Sequence, residues 1–185
     1  MTTTTIAELR AQSRSRSALD FPGTIRAHYP YWDAQYRPYL LMAVDALPAD
    51  HFGYKPKPDM LTAHQTVLHI AEAEHSWIHG VVDGHGFEEW VVEEEDPSLG
   101  YKSLIDAPDH AALHALLEKS HRLVQAWFDR PVSELARVVT FTPPDGVERY
   151  YKLHWILDHV QEHEIHHRAQ LNMYLRMLGI TPPSI

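Results

Sequence analysis

Apolar positions recur along this chain at the three-to-four-residue spacing of helices, and the pattern is clearest from residue 153 to 178. No Pro or Gly interrupts that stretch, Gly179 closes it, and Pro182 and Pro183 follow, as expected at a helix C-terminus. At about 100° per residue, Ile156, Val160, His163, His167, Leu171, Tyr174 and Leu178 share roughly a 90° sector, while Asp158, Glu162, Arg168, Asn172 and Arg176 lie outside it. The apolar stripe of this last helix therefore contains two histidines one turn apart. Upstream, the spacing predicts a first helix over about 31–46, starting at Pro30, with Pro38 either kinking it or marking its true start. A second helix opens at Thr62 and runs to about residue 82, ended by Asp83-Gly84-His85-Gly86. A third spans about 108–128 and carries Leu113, Leu116, Leu117, Val124 and Trp127. Between the first two, Pro56 and Pro58 exclude continuous helix. Residues 87–106 are acidic and read as a long irregular crossover, and residues 137–142 and 147–151, separated by Pro143-Pro144-Asp145-Gly146, read as a short β-hairpin. Four amphipathic helices with one long crossover predict an all-α four-helix bundle, with the hairpin just before the last helix.

A length of 185 residues suits one core, so residues 21–185 are read as a single domain behind a polar arm, residues 1–20, in which 6–12 can form a short helix. The arm lacks the apolar region of a signal peptide and no later stretch reaches the length of a membrane span, which points to a soluble, cytoplasmic chain without a membrane partner. Cysteine is absent, so there are no disulfides and any metal must be held by nitrogen and oxygen. A formal net charge of −9, with Glu88, Glu89, Glu93, Glu94, Glu95 and Asp96 clustered, opposes binding to nucleic acid.

The 15 histidines repeat the H-x-x-x-H spacing at His75/His79, His110/His114, His159/His163 and His163/His167. The His75/His79 and His110/His114 pairs read as solvated surface. Only His163 and His167 sit together in an apolar stripe, where a desolvated imidazole needs a partner. A metal ion is the simplest one, since two imidazoles one turn apart converge on an ion about 2.0–2.1 Å from each nitrogen. Hydrogen bonds to neighbouring side chains are the competing reading. The same residues spell His163-Glu164-x-x-His167, the metalloprotease motif. However, Gln170 and Met173 stand where its extended form needs Gly and His, and the 18 residues after His167 contain no acid that would complete the other form. Glu164 also lies about 80° around the helix from the two histidines. A third ligand must come from upstream, where the second helix offers His64, His69, His75 and His79. Periodicity leaves these four open, although His69 shares its side with the small residues Ala73, Ser76 and Gly80.

Taken in order, Tyr54-Lys-Pro-Lys-Pro58, Thr62 to His69-Ile70-Ala71-Glu72-Ala73-Glu74, Pro144-Asp-Gly146, His159 to His163-Glu-Ile-His-His-Arg-Ala-Gln-Leu171 and Tyr174-Leu-Arg-Met-Leu-Gly179 resemble the DinB family over most of residues 30–180. The resemblance implies a four-helix bundle, often a homodimer, with a divalent metal held by one histidine of the second helix and the pair of the fourth, here His69, His163 and His167. Zinc or nickel is the expected ion, with iron an alternative. Relatives in the wider superfamily include S-transferases that use low-molecular-weight thiols. The implied function is accordingly a divalent-metal-dependent enzyme, a transferase joining a thiol cosubstrate to a small electrophile. The alternatives are a non-catalytic metal-stabilised bundle or small-ligand-binding stress protein, and a metal-dependent hydrolase. Glu74 and Trp77 read as a surface or partner-bound carboxylate and a core aromatic in preference to residues that line the cavity. Arg168 reads as a solvated or ion-pairing residue in preference to a substrate anchor.

Overall fold

Pro38 fixes where the first regular helix begins. It lies in the first turn of α1 (Arg37–Asp45), where a missing N–H breaks no intrahelical bond, so the proline opens the helix and does not kink it. The preceding Trp32–Tyr36 winds as a wider π-helical turn, and a one-turn helix at Ile25–His28, which periodicity did not predict, comes before it. The computed structural model describes residues 23–85, 93–96, 101–103, 107–143 and 145–184. The arm over residues 1–20, its short helix included, and Pro144 of the hairpin turn lie outside the described residues.

Helix α2 (Ala63–His75) starts at a capping box. The Thr62 side chain accepts from Gln65 N–H and the Gln65 side chain accepts from Thr62 N–H, which together satisfy two amides that the helix leaves open. The helix continues as a π-helical segment, Ser76–Val82, before Gly84 turns the chain at φ +80°. The crossover is not wholly irregular, because β1 (Glu93–Asp96) and β2 (Tyr101–Ser103) pair antiparallel within it. Asp109 caps α3 (His110–Phe128) by accepting from Ala112 N–H at 2.8 Å.

Strands β3 (Val138–Phe141) and β4 (Arg149–Lys152) form the expected hairpin, with Val139 opposite Tyr151 and Thr140 opposite Tyr150. Its turn closes with Gly146 N–H on the Pro143 carbonyl at 2.9 Å. The strand leads directly into α4 (Leu153–Met177). At the far end of α4, Gly179 at φ +78° lets its own N–H reach the Arg176 carbonyl and the Ile180 N–H reach that of Leu175, a Schellman closure.

The helices form a four-helix bundle in which α2 packs most extensively on α3 and α4. The core divides into two apolar clusters. One joins Leu40, Val44, Val67, Leu68, Leu113, Leu117, Leu171 and Leu175. The other joins Trp32, Ile78, Val124, Phe128, Leu153, Ile156, Leu157 and Val160 near the hairpin. Between them lies a level of buried polar side chains: Arg37, Glu74, Ser120, His121, Glu164 and Arg168. No described helix is long and apolar enough to cross a membrane.

Candidate metal centre

Among the described residues, two groups of three His, Asp or Glu side chains bring ligand atoms within 4.8 Å of one another: His69/His163/His167 and Glu74/His121/Glu164. Both stand where the apolar core is interrupted, and their chemistry differs.

The first group joins α2 to α4. The ring centroids of His69, His163 and His167 lie 4.3–4.9 Å apart, and Nε2 of His69 is 3.1 Å from Nε2 of His163. Two nitrogens at this separation need a proton or a cation between them. Nitrogens bonded to one tetrahedral ion at the usual zinc–nitrogen length lie about 3.3 Å apart, so the donor set fits a divalent ion. Its rings are held from behind. His69 Nδ1 faces Glu72 Oε2 at 3.1 Å and His167 Nδ1 faces Gln170 Oε1 at 2.8 Å, so each of these rings has an oxygen acceptor at one nitrogen and its other nitrogen turned to the centre.

Burial, reinforced by the neighbouring imidazoles, depresses the pKa of His163 to about 2; burial followed by His69 depresses that of His167 to about 4. Both rings are neutral at physiological pH, the form that binds metal. All three remain partly open to solvent, with the His69 side chain 31% exposed. An aromatic group adjoins them on α4. Tyr151, Trp155 and His159 stack in succession at 5.0 and 4.9 Å, Trp77 of the π segment packs perpendicular to all three, and His159 lies 6.1 Å from His163.

The second group already contains its cation. Arg37 NH1 donates to Glu74 Oε1 and to Glu164 Oε2, each at 3.0 Å, and its NH2 donates to the Leu117 carbonyl. Glu74 further accepts from Ser120 Oγ and from His121 Nδ1, and Glu164 Oε2 accepts from Trp32 Nε1 at 3.1 Å. Burial alone would raise Glu74, but the Arg37 charge and the bonds from His121 and Ser120 outweigh it and hold the carboxyl below its ordinary value. For Glu164 burial prevails over Arg37 and the pKa rises. His121 reaches Asp33 with its other nitrogen at 2.7 Å, and these two acidic partners overcome burial to raise its pKa. Glu164 is thus committed to Arg37 and Trp32, and the glutamate of the H-E-x-x-H string is not a base beside the two histidines.

Of the ligands that the sequence left open, His69 joins the pair, whereas His64 bonds to the Ala107 carbonyl at 2.7 Å and His75 packs on His79. His110 and His114 are not simply solvated: they reach the Leu47 carbonyl and Asp45, each at 2.7 Å. Glu74 is a partner-bound carboxylate, and Trp77 belongs to the aromatic group. Arg168 departs from expectation most. It is buried, with its guanidinium 5.6 Å from the Tyr39 ring centroid and its Nε and NH1 without a hydrogen-bond partner among the described residues. Sequence reasoning missed Arg37, His121 and the role of Glu164; the signal available was Glu164 and Arg168 recurring at i,i+4 on a second face of the last helix.

The sequence profile of the DinB family matches residues 23–185. The chain belongs to the DinB family. Two crystal structures of DinB-like proteins share its fold. The one from Bacillus cereus superimposes with a TM-score of 0.62 at 17% identity, covering 88% of this chain and 98% of the other. The one from Bacillus subtilis gives 0.57 at 21% identity, covering 81% and 90%. No curated protein matches. At these identities the likeness to the two structures concerns the DinB fold, and the chemistry of this DinB chain rests on its own residues.

Proposed function

We propose that His69, His163 and His167 hold a divalent metal ion and that the chain is a metal-dependent transferase joining a low-molecular-weight thiol to a small electrophile. The observation that carries the reading is the convergence of three imidazoles from two helices on one partly open point, with no carboxylate among them. Three neutral ligands leave the full charge of an ion available to a fourth, which distinguishes an open site from a closed structural one. Zinc or nickel bound there would supply the positive charge that holds a thiol as its thiolate. The protein's part is positional. Glu72 and Gln170 orient two of the rings, and Trp77, Trp155 and His159 present an apolar wall, beginning one turn before His163, for the hydrocarbon part of an electrophile. Exposed Met42 on α1 and Met173 and Met177 on α4 offer apolar surface for the homodimer that belongs to the same reading.

A second reading has an observation of its own. His69 lies on α2 and the pair on α4, so an ion also cross-links the bundle, and its binding energy would then serve folding alone. Elemental analysis of untagged protein beside His69→Ala, His163→Ala and His167→Ala tests the common premise. Near-stoichiometric metal in the parent, absent from all three variants, is the expected result, and little metal in the reconstituted parent would refute both readings. Thiol-dependent consumption of a chromogenic aryl halide, lost with the metal while the helical spectrum persists, supports the transferase. A loaded protein that consumes no electrophile with any cellular thiol, and unfolds on chelation, would leave the cross-link.

A further inference from the structure

Gln170 occupies the position whose identity excluded the extended protease motif, and the structure gives it a different task. Its amide lies between two neighbouring rings of α4. Oε1 faces His167 Nδ1 at 2.8 Å, and Nε2 faces His166 Nε2 at 2.9 Å. The two ends of an amide are chemically distinct, one only accepting and the other only donating. In the observed orientation His167 must donate from Nδ1, which leaves its Nε2 lone pair for the centre. In the reversed orientation the amide NH2 would face His167 Nδ1. The ring would then carry its proton on Nε2, pointing at the place where His69 and His163 converge. A neutral imidazole with its proton on Nε2 cannot ligate through that atom. The choice between a ligand and a blocked ligand thus lies in which way one amide faces. His166 stabilises the productive orientation when its own proton is on Nδ1, because its Nε2 then accepts from the amide's donor end.

Glu72 makes the same choice for His69 without ambiguity, because a carboxylate has only acceptors to offer Nδ1 at 3.1 Å. We propose that Gln170 and Glu72 are positioning residues that select the Nδ1–H tautomers of His167 and His69, and that Gln170 holds His167 in it through a clamp shared with His166. The consequence for affinity rests on the metal reading above; the tautomers do not. Outer-shell partners of this kind change metal affinity by about 10–100-fold when lost.

The test uses the full chain in two stages. First, nitrogen-15 spectra of the imidazoles in metal-free protein at neutral pH, assigned by the signal lost in His167→Ala, report which ring nitrogen carries the proton. His167 is expected as the Nδ1–H form in the parent and in Gln170→Glu, which keeps an acceptor facing the ring, and shifted towards the Nε2–H form in Gln170→Leu, with thermal unfolding serving as a check on the fold. Glu72→Leu should do the same to His69 alone. Second, competition with a chromophoric chelator measures zinc affinity, which should fall about 10–100-fold in Gln170→Leu and Glu72→Leu and be retained in Gln170→Glu. His167 keeping its Nδ1 proton in a folded Gln170→Leu protein, or zinc affinity indifferent to a changed tautomer, would overturn the proposal. If no form binds zinc, parent included, the metal reading fails while the spectra still decide the tautomer claim. If Gln170→Leu does not fold, loss of the Nδ1–H form in Gln170→Lys, which offers only donors, takes its place.

Discussion

Arg37→Met removes the one guanidinium that two buried carboxylates share. Glu74 and Glu164 are each 1% exposed, and Arg37 NH1 is 3.0 Å from an oxygen of both. Methionine fills much of the same volume and leaves the two acids facing each other, with His121 still bonded to Glu74. Removing one partner of a buried pair costs about 3–5 kcal/mol. With two acids deprived at once, the upper part of that range applies, about 4–5 kcal/mol. A chain of this length loses about 2–4 °C of Tm per kcal/mol, so the variant should melt about 8–20 °C lower. Urea denaturation followed by far-UV circular dichroism measures the loss, and adding Glu164→Gln should recover part of it, because an amide in that position no longer needs the counter-ion. A loss below about 1 kcal/mol, the magnitude of a surface pair, together with no recovery in the double variant, would refute the assignment of Arg37 as the resident cation of this level.

Acid and alkali should act on different histidines. His163 and His167 have folded pKa values of about 2 and about 4, below their ordinary 6.5, so the unfolded chain takes up protons that the folded one refuses; stability is complete above pH 6.5 and falls as pH drops below it. His121 is shifted upward, so its contribution is complete below pH 6.5 and fades as pH rises through the raised value. Urea midpoints of metal-free protein against pH should show both limbs, with His167→Asn flattening the acid one and His121→Asn the alkaline one; unchanged limbs would contradict the environments described. Trp32→Phe deletes the indole N–H that Glu164 Oε2 accepts at 3.1 Å and should cost about 1.5–3 kcal/mol by chemical denaturation, as expected for a bond to a charged group. Gly179→Ala forces a side chain into φ +78° and should cost about 1–2 kcal/mol, read as a lowered Tm without loss of helix elsewhere.

The helices were legible because their boundaries rest on local chemistry. Thr62 and Gln65, Asp109, Pro38 and Gly179 each act on backbone groups within a few residues, and the hairpin follows from its turn. The last helix's stripe was legible as well, since Ile156, Val160, Leu171 and Tyr174 are all buried as the wheel places them. The wheel failed where burial is not apolar. Arg168 and Asn172 lie outside the apolar sector and Glu164 about 80° from the two histidines, yet all three are buried; for Glu164 and Arg168 the partners Arg37, Trp32 and Tyr39 come from residues more than a hundred positions away. Charge neutralised across the bundle shows only as the i,i+4 recurrence of Glu164 and Arg168, which by itself does not say that the face is buried. The histidine pair was visible from spacing and stripe together, but the choice of His69 over its neighbours depends on how α2 is rotated against α4, which no local pattern records.

The division of the core into two apolar clusters predicts two units that open separately, to be read as two grades of amide protection in hydrogen exchange. Each draws on the bundle helices or the segments that flank them: the first through Leu40, Leu68, Leu117 and Leu171, the second through Trp32, Ile78, Phe128 and Leu157. Helices α3 and α4 run through both and act as the shared spine, while α1 belongs mainly to one half and the hairpin to the other. Because His69 stands between Leu68 and Ile70 of the first cluster and His163 follows Val160 of the second, whatever binds the histidine centre would act on the coupling between the two halves as much as on either.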